Sequence, residues 1–274
     1  MSRFVFVGES EDYRRRREEL LAAEIALKDQ VERVAALRRA LPLGMHTPDY
    51  VFREGPMDLT QSDPADVRDV RLADLFTDGH DTLLVEHLMF AAGDEEPCVM
   101  CSMWADGYNA VTPHVMPRAR FVLVAKAEIG KLRSFARQRG WDRIRLLSSH
   151  DTTFNRDFGM QNADGSQNPG VSVFTRAADG AVSHRYTIGA EFDEHHNRGL
   201  DPSTPVWNLF DLLPQGRGDW SPQPWLHGAP RVLTGGKRTG MSEAGPDRHR
   251  LRVPLCDVSL ASASPQEETG HEII

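Results

Sequence analysis

The longest patterned stretch lies near the start of the chain. Residues 13–41 contain neither Gly nor Pro and are rich in Ala, Leu, Glu and Arg. Leu20, Leu27, Val34 and Leu41 recur at heptad spacing with Val31 between them, a narrow apolar stripe that predicts one long helix. Ser10 is a suitable N-cap, Glu11 and Asp12 suit the first turn, and Pro42 and Gly44 stop the helix. Such a helix must bury its stripe on its own domain or on a partner, and a homodimer through it is one expectation.

The pattern then changes period. Residues 47–62 read as loop, with Tyr50-Val51-Phe52 as a short edge strand. Residues 63–69 form an acidic insertion, and Val70 to Phe76 reads as a short helix. Thr82 to Phe90 is apolar almost throughout, as expected of a strand buried on both faces. Phe121 to Ala125 repeats that character, Ile129 to Trp141 is an amphipathic helix closed by Gly140, and Ile144 to Leu147 is a shorter strand. Strand, helix, strand, helix, strand implies a parallel sheet with right-handed crossovers. Val171 to Arg176 and Val182 to Ile188 flank Ala-Ala-Asp-Gly and read as a hairpin, and Val206 to Leu213 as a closing helix. From Pro214 the composition turns to Pro, Gly, Arg, Ser and Trp without periodicity. The division expected is a helical arm over 1–44, a domain over 45–213 and an irregular extension over 214–274.

Charge narrows the function. A net charge of −8 argues against nucleic-acid binding, and the Arg14–Arg17 cluster is flanked by Glu9, Glu11, Asp12, Glu18 and Glu19. No apolar run reaches the roughly 18 residues of a membrane span, and the amino terminus turns charged too soon for a signal-peptide core. The expectation is a cytoplasmic protein that binds neither nucleic acid nor membrane.

The chemistry gathers at Cys98-Val-Met-Cys101, which follows the strong strand and opens a helical stretch. In a reducing cytosol a close cysteine pair is redox-active or metal-binding rather than structural. Two thiols at a helix start after a buried strand form the active-site layout of the thioredoxin fold. Cys98, at the helix edge, is the expected attacking thiol, and Cys101, one turn in, the resolving one. Asp94, Glu95 and Glu96 work against a thiolate at Cys98, although salt screens exposed charges over about 10 Å. No metal or other cofactor is expected for the redox reading. The alternative is a copper or zinc site on Cys98, Cys101 and His87, and a third reading is a non-catalytic accessory or biosynthetic-pathway protein. Trp104, Tyr108 and Phe90 read as core aromatics or as the lining of a groove beside the thiols. Ser148-Ser-His-Asp151 is contiguous, whereas a triad is assembled by geometry, and His195-His196 reads as exposed. The peroxidatic Pro-x-x-x-Thr/Ser-x-x-Cys pattern is missing.

The chain also resembles a family. Arg14 to Leu41, Tyr50-Val-Phe52, Leu72-Ala-Asp-Leu-Phe76 and His87-Leu-Met-Phe90 carry the likeness, with Cys98 to Gly107 and Pro169-Gly-Val-Ser-Val-Phe174. Together they are similar to a large bacterial group of thioredoxin-like proteins labelled as predicted dithiol-disulfide isomerases. The resemblance implies an α/β thioredoxin-like fold, a central mixed sheet with flanking helices, preceded by a long helical extension. It implies thiol-disulfide oxidoreductase activity on a protein or small-molecule disulfide. It also implies a cis peptide before Pro169 that faces the thiols and shapes the substrate groove, beside which Trp104 is the aromatic expected to contact substrate if it is not in the core. The acidic loop before Cys98 and the extension after Leu213 depart from the family pattern.

Overall fold

The computed structural model describes residues 6–189, 200, 203–218, 220 and 222. All of these fall in the first of two compact units, Met1–His227 and Gly228–Ile274. His195, His196 and Cys256 lie outside the described residues.

Among the described residues seven strands form one mixed sheet in the order β2-β1-β5-β4-β3-β6-β7. They are β1 (Val51–Glu54), β2 (Arg68–Arg71), β3 (Thr82–Leu88), β4 (Arg120–Ala125), β5 (Arg145–Ser148), β6 (Gly170–Arg176) and β7 (Val182–Gly189). β3, β4 and β5 run parallel, and β6 pairs antiparallel with β3 and β7. The crossovers between the parallel strands are α2 (Val99–Val115) and α3 (Ile129–Arg139). Gly140 ends α3 in the left-handed region, φ 74°, which only glycine adopts without steric cost. The remaining helices are α1 (Glu11–Ala40), the single turn α4 (Phe154–Asp157) and α5 (Val206–Phe210). The architecture is a thioredoxin-like α/β fold carrying an amino-terminal helix.

The sheet separates two cores. Leu88, Phe121, Leu123 and Leu146 pack toward α2 and α3 with Trp104, Ala105, Tyr108, Leu132 and Trp141. On the other face Leu83, Val85, Val122, Val124 and Leu147 meet Phe52, Leu72, Leu75, Phe154, Phe158 and Phe174. Phe154 is the hub of the second core, with ring centroids 5.0 to 5.9 Å from Tyr50, Phe52, His87, Phe158 and Phe174.

Two local expectations change. Val70 to Phe76 is not a helix: β2 takes Val70, and a 3-10 turn follows over Leu72–Leu75. Pairing decides it, because Arg68 to Arg71 finds backbone partners on Glu54 to Val51, which a seven-residue helix would forgo. β1 is accordingly an inner strand between β2 and β5 rather than an edge. Its Glu54 is buried and bound by Arg145 and Arg68, which hold its carboxyl below the usual range against the opposing effect of burial.

α1 is capped as anticipated, Tyr13 N–H donating to Ser10 Oγ at 3.1 Å, yet none of its residues is buried. No helix among the described residues is long and apolar enough to cross a membrane.

Replacing Phe154 by Ala removes a fully enclosed ring from the second core. Urea denaturation should report a loss of about 3–5 kcal/mol, with m unchanged if the sheet survives.

Candidate active site: a dithiol above a buried acid

β3 delivers the chain to the edge of the sheet, and an acidic loop returns it to the start of α2. Cys98 is the N-cap residue of α2. Its backbone is tied in on both sides. The Cys98 N–H donates to the Met89 carbonyl at 2.9 Å, anchoring it to the end of β3, and its own carbonyl accepts from the Ser102 N–H and Oγ, both at 2.9 Å. Cys98 is half-buried, Cys101 is buried, and no disulfide joins them. The placement follows the expectation of one thiol at the helix edge and one a turn inside.

Environment separates the two thiols. Burial pushes the Cys101 thiol well above its ordinary range, and the hydrogen bond and charge of Cys98 push it further. The Met89 backbone opposes this, while Glu86 adds to it. Cys101 is therefore held as a thiol beside the outer sulfur.

Glu86 was not among the residues expected at the site. It sits in β3 between Leu84 and Leu88, on the face that packs toward α2. It is 1% exposed, and neither carboxylate oxygen has a hydrogen-bond partner among the described residues. Burial first, and the Asp106 charge second, raise its pKa well above the ordinary carboxyl value. Glu86 also raises Cys101 and the Tyr108 hydroxyl, so the three share one low-dielectric space. The signal in the sequence was a single acid inside an otherwise apolar strand. Asp106 is engaged elsewhere, by Arg139 and by Trp141 Nε1 at 2.8 Å.

His87 points the other way. It stacks on Phe154 at 5.5 Å, and its Nε2 meets Ser172 Oγ at 2.8 Å, both in the second core. The copper or zinc set of Cys98, Cys101 and His87 is thus not assembled, because consecutive strand residues face opposite sides of the sheet. Among the described residues no group of three or more His, Cys, Asp or Glu side chains is arranged to hold a metal ion. Burial lowers the His87 pKa to about 3, with His184 adding to the shift.

The expected substrate contacts also change. Trp104 is 2% exposed and belongs to the first core, with Tyr108 and Phe90, so its indole is packed rather than presented to solvent. No cis peptide bond occurs among the described residues, so the peptide before Pro169 is trans. The loop leading to it is held by Asn168, which donates to the Gly159 carbonyl at 2.8 Å and to Asn162 Oδ1 at 2.9 Å. Pro169 itself is half-buried and immediately precedes Gly170, which pairs with His87 at the thiol end of β3. Asp94, Glu95 and Glu96 are exposed, and Lys131, unforeseen from the sequence, reaches over this loop to the Asp94 carbonyl and lies 5.4 Å from the Phe90 ring.

A model of one family spans residues 3–230, and its description is "Bacterial protein of unknown function (DUF899)". The chain belongs to that family. A search of the curated proteins finds no match. Among solved structures, peroxidoxin BcpB from Mycobacterium tuberculosis is 19% identical, with TM-score 0.40, over 60% of this chain and 94% of that one. Reduced Prx3 from Vibrio vulnificus, solved with H2O2, is 11% identical with TM-score 0.41, over 58% and 93%. The 1-Cys peroxiredoxin of Plasmodium falciparum is 12% identical with TM-score 0.43, over 59% and 95%. The order of strands and helices carries the thioredoxin-like part of the family resemblance, and the isomerase label finds no counterpart in the family description.

The buried acid has a thermodynamic signature. A carboxyl whose pKa is raised in the folded state keeps a proton that the unfolded chain has lost. Stability therefore falls as pH rises from about 4.5 towards the folded pKa, with a limiting slope of about 1.4 kcal/mol per pH unit. Glu86→Gln should flatten that decline and be the more stable protein at pH 8. Denaturation at pH 5 and pH 8 checks this; equal declines in the two proteins would contradict it.

Proposed function

We propose that the protein is a thiol-disulfide oxidoreductase that reduces a protein or small-molecule disulfide through Cys98 and Cys101. What supports the reading is one observation above all: two unjoined thiols one helical turn apart, the outer half-exposed at the start of α2 and the inner buried. The Cys98 thiolate attacks one substrate sulfur, forms a mixed disulfide and releases the other sulfur as a thiolate. Cys101 then gives up its proton and attacks Cys98. This frees the second substrate thiolate and leaves a Cys98–Cys101 disulfide, so two electrons have passed to the substrate. A thiol reductant reverses the oxidation, and the proposed setting is the cytoplasm, which supplies one.

Cys101 is 1% exposed, so at that moment it needs a proton acceptor inside the fold. Glu86 is the acceptor we assign, acting in the molecules that have lost its proton, because neither carboxylate oxygen has a hydrogen-bond partner among the described residues and it acts electrostatically on the same sulfur; the step therefore quickens as pH rises towards the raised Glu86 pKa. Pro169, beside the thiol end of β3, is proposed to border the substrate; Trp104 is assigned to packing.

Cys101→Ser should trap about one equivalent of mixed disulfide with a peptide disulfide probe, read by intact mass. Cys98→Ser should trap none. If Cys98→Ser turns over the probe at the wild-type rate, the assignment fails and a non-catalytic role gains ground. Stoichiometric copper or zinc in the purified protein would favour metal binding instead.

Glu86→Gln should leave the first attack unchanged and slow resolution by about 10²-fold. Stopped-flow release of the second thiol measures this step, and an unchanged rate would remove Glu86 from the mechanism.

A further inference from the structure

α1 presents a problem that the rest of the fold does not solve. Helices in water owe most of their stability to packing of an apolar face, yet this one runs for 30 residues with none buried. Leu20, Leu27, Val31 and Leu37 are 57 to 69% exposed. Five of its residues are half-buried, Arg17, Leu21, Val34, Ala35 and Arg38, and near the carboxyl end the Arg38 guanidinium lies 5.3 Å from the Tyr186 ring centre.

The stripe has the spacing of a two-helix seam: Leu20, Ala23, Leu27, Gln30, Val34, Leu37 and Leu41 occupy alternating three- and four-residue steps. The residues flanking that seam are sorted by sign. Glu19 and Glu24 border its amino half, and Arg33 and Arg38 its carboxyl half. Arg17, which also borders it, is paired with Glu9 at 3.1 Å.

This sorting selects a partner and a direction. Were two copies parallel, Glu19 would face the partner's Glu24, and Arg33 the partner's Arg38, so like charges would meet at both ends. In an antiparallel pair the acidic half of each helix lies along the basic half of the other. The exposed seam and its charge order are therefore self-complementary in one orientation only. We propose that α1 pairs antiparallel with α1 of a second copy of this chain. Such an isologous contact is closed by a two-fold axis and yields a dimer rather than a filament. The proposal concerns assembly and stands apart from the thiol cycle.

Sedimentation of the full chain tests it. The wild-type protein should be a dimer, and Leu20→Glu with Leu27→Glu should make it monomeric with the far-ultraviolet spectrum of a folded domain. Glu19→Arg with Glu24→Arg should weaken association by about tenfold, and adding Arg33→Glu with Arg38→Glu should restore it, since the signs are then exchanged end for end. A parallel pair would not respond to the first reversal, because like charges would face one another before and after it; that result overturns the orientation. A monomeric wild-type chain, or a dimer indifferent to Leu27→Glu, overturns the contact and leaves α1 to a different partner.

Discussion

Glu86 and His87 are neighbours in sequence and lie on opposite sides of one strand, each at most 2% exposed. Neither is a residue that an apolar core accepts cheaply. A buried carboxyl without a hydrogen bond persists by keeping its proton, and a buried imidazole by shedding its own. β3 imposes both outcomes, because it is covered by helices on one face and by an aromatic cluster on the other. That two-sided burial creates the low-dielectric space beneath Cys101 and so governs how the two thiols differ.

The two buried groups are also handled differently. His87 has a partner in Ser172, which meets Thr187 Oγ1 at 2.7 Å, and Thr187 in turn meets His184 Nε2 at 2.7 Å. This chain joins β3, β6 and β7 and holds the imidazole in place. Glu86 has no such network among the described residues; the Asp106 charge, the Tyr108 hydroxyl and the inner thiol act on it only electrostatically. An acid buried without a hydrogen bond costs stability that the fold does not recover locally.

Most of the architecture was legible from periodicity. The runs at β3 and β4, the helix of α3 with its glycine stop, and the β6–β7 hairpin have one strong reading each. Legibility failed where an element is short and stands by pairing alone. Val70 to Phe76 carries enough Leu and Ala to pass for a helix, and only the backbone of β1 beside it settles the matter. Trp104 was open for a related reason: its spacing in α2 says that it faces inward, but not whether inward means a groove or the core it joins.

By itself, the sequence determined the helix and strand order, the neighbouring thiols and the unmet demand of α1 for a partner surface, because these depend on local spacing. Only the tertiary structure decided that His87 turns from the thiols while Glu86 turns toward them. Side-chain direction along a strand is fixed by the pleat, but which face receives α2 is fixed by the crossover, a relation between residues distant in the chain.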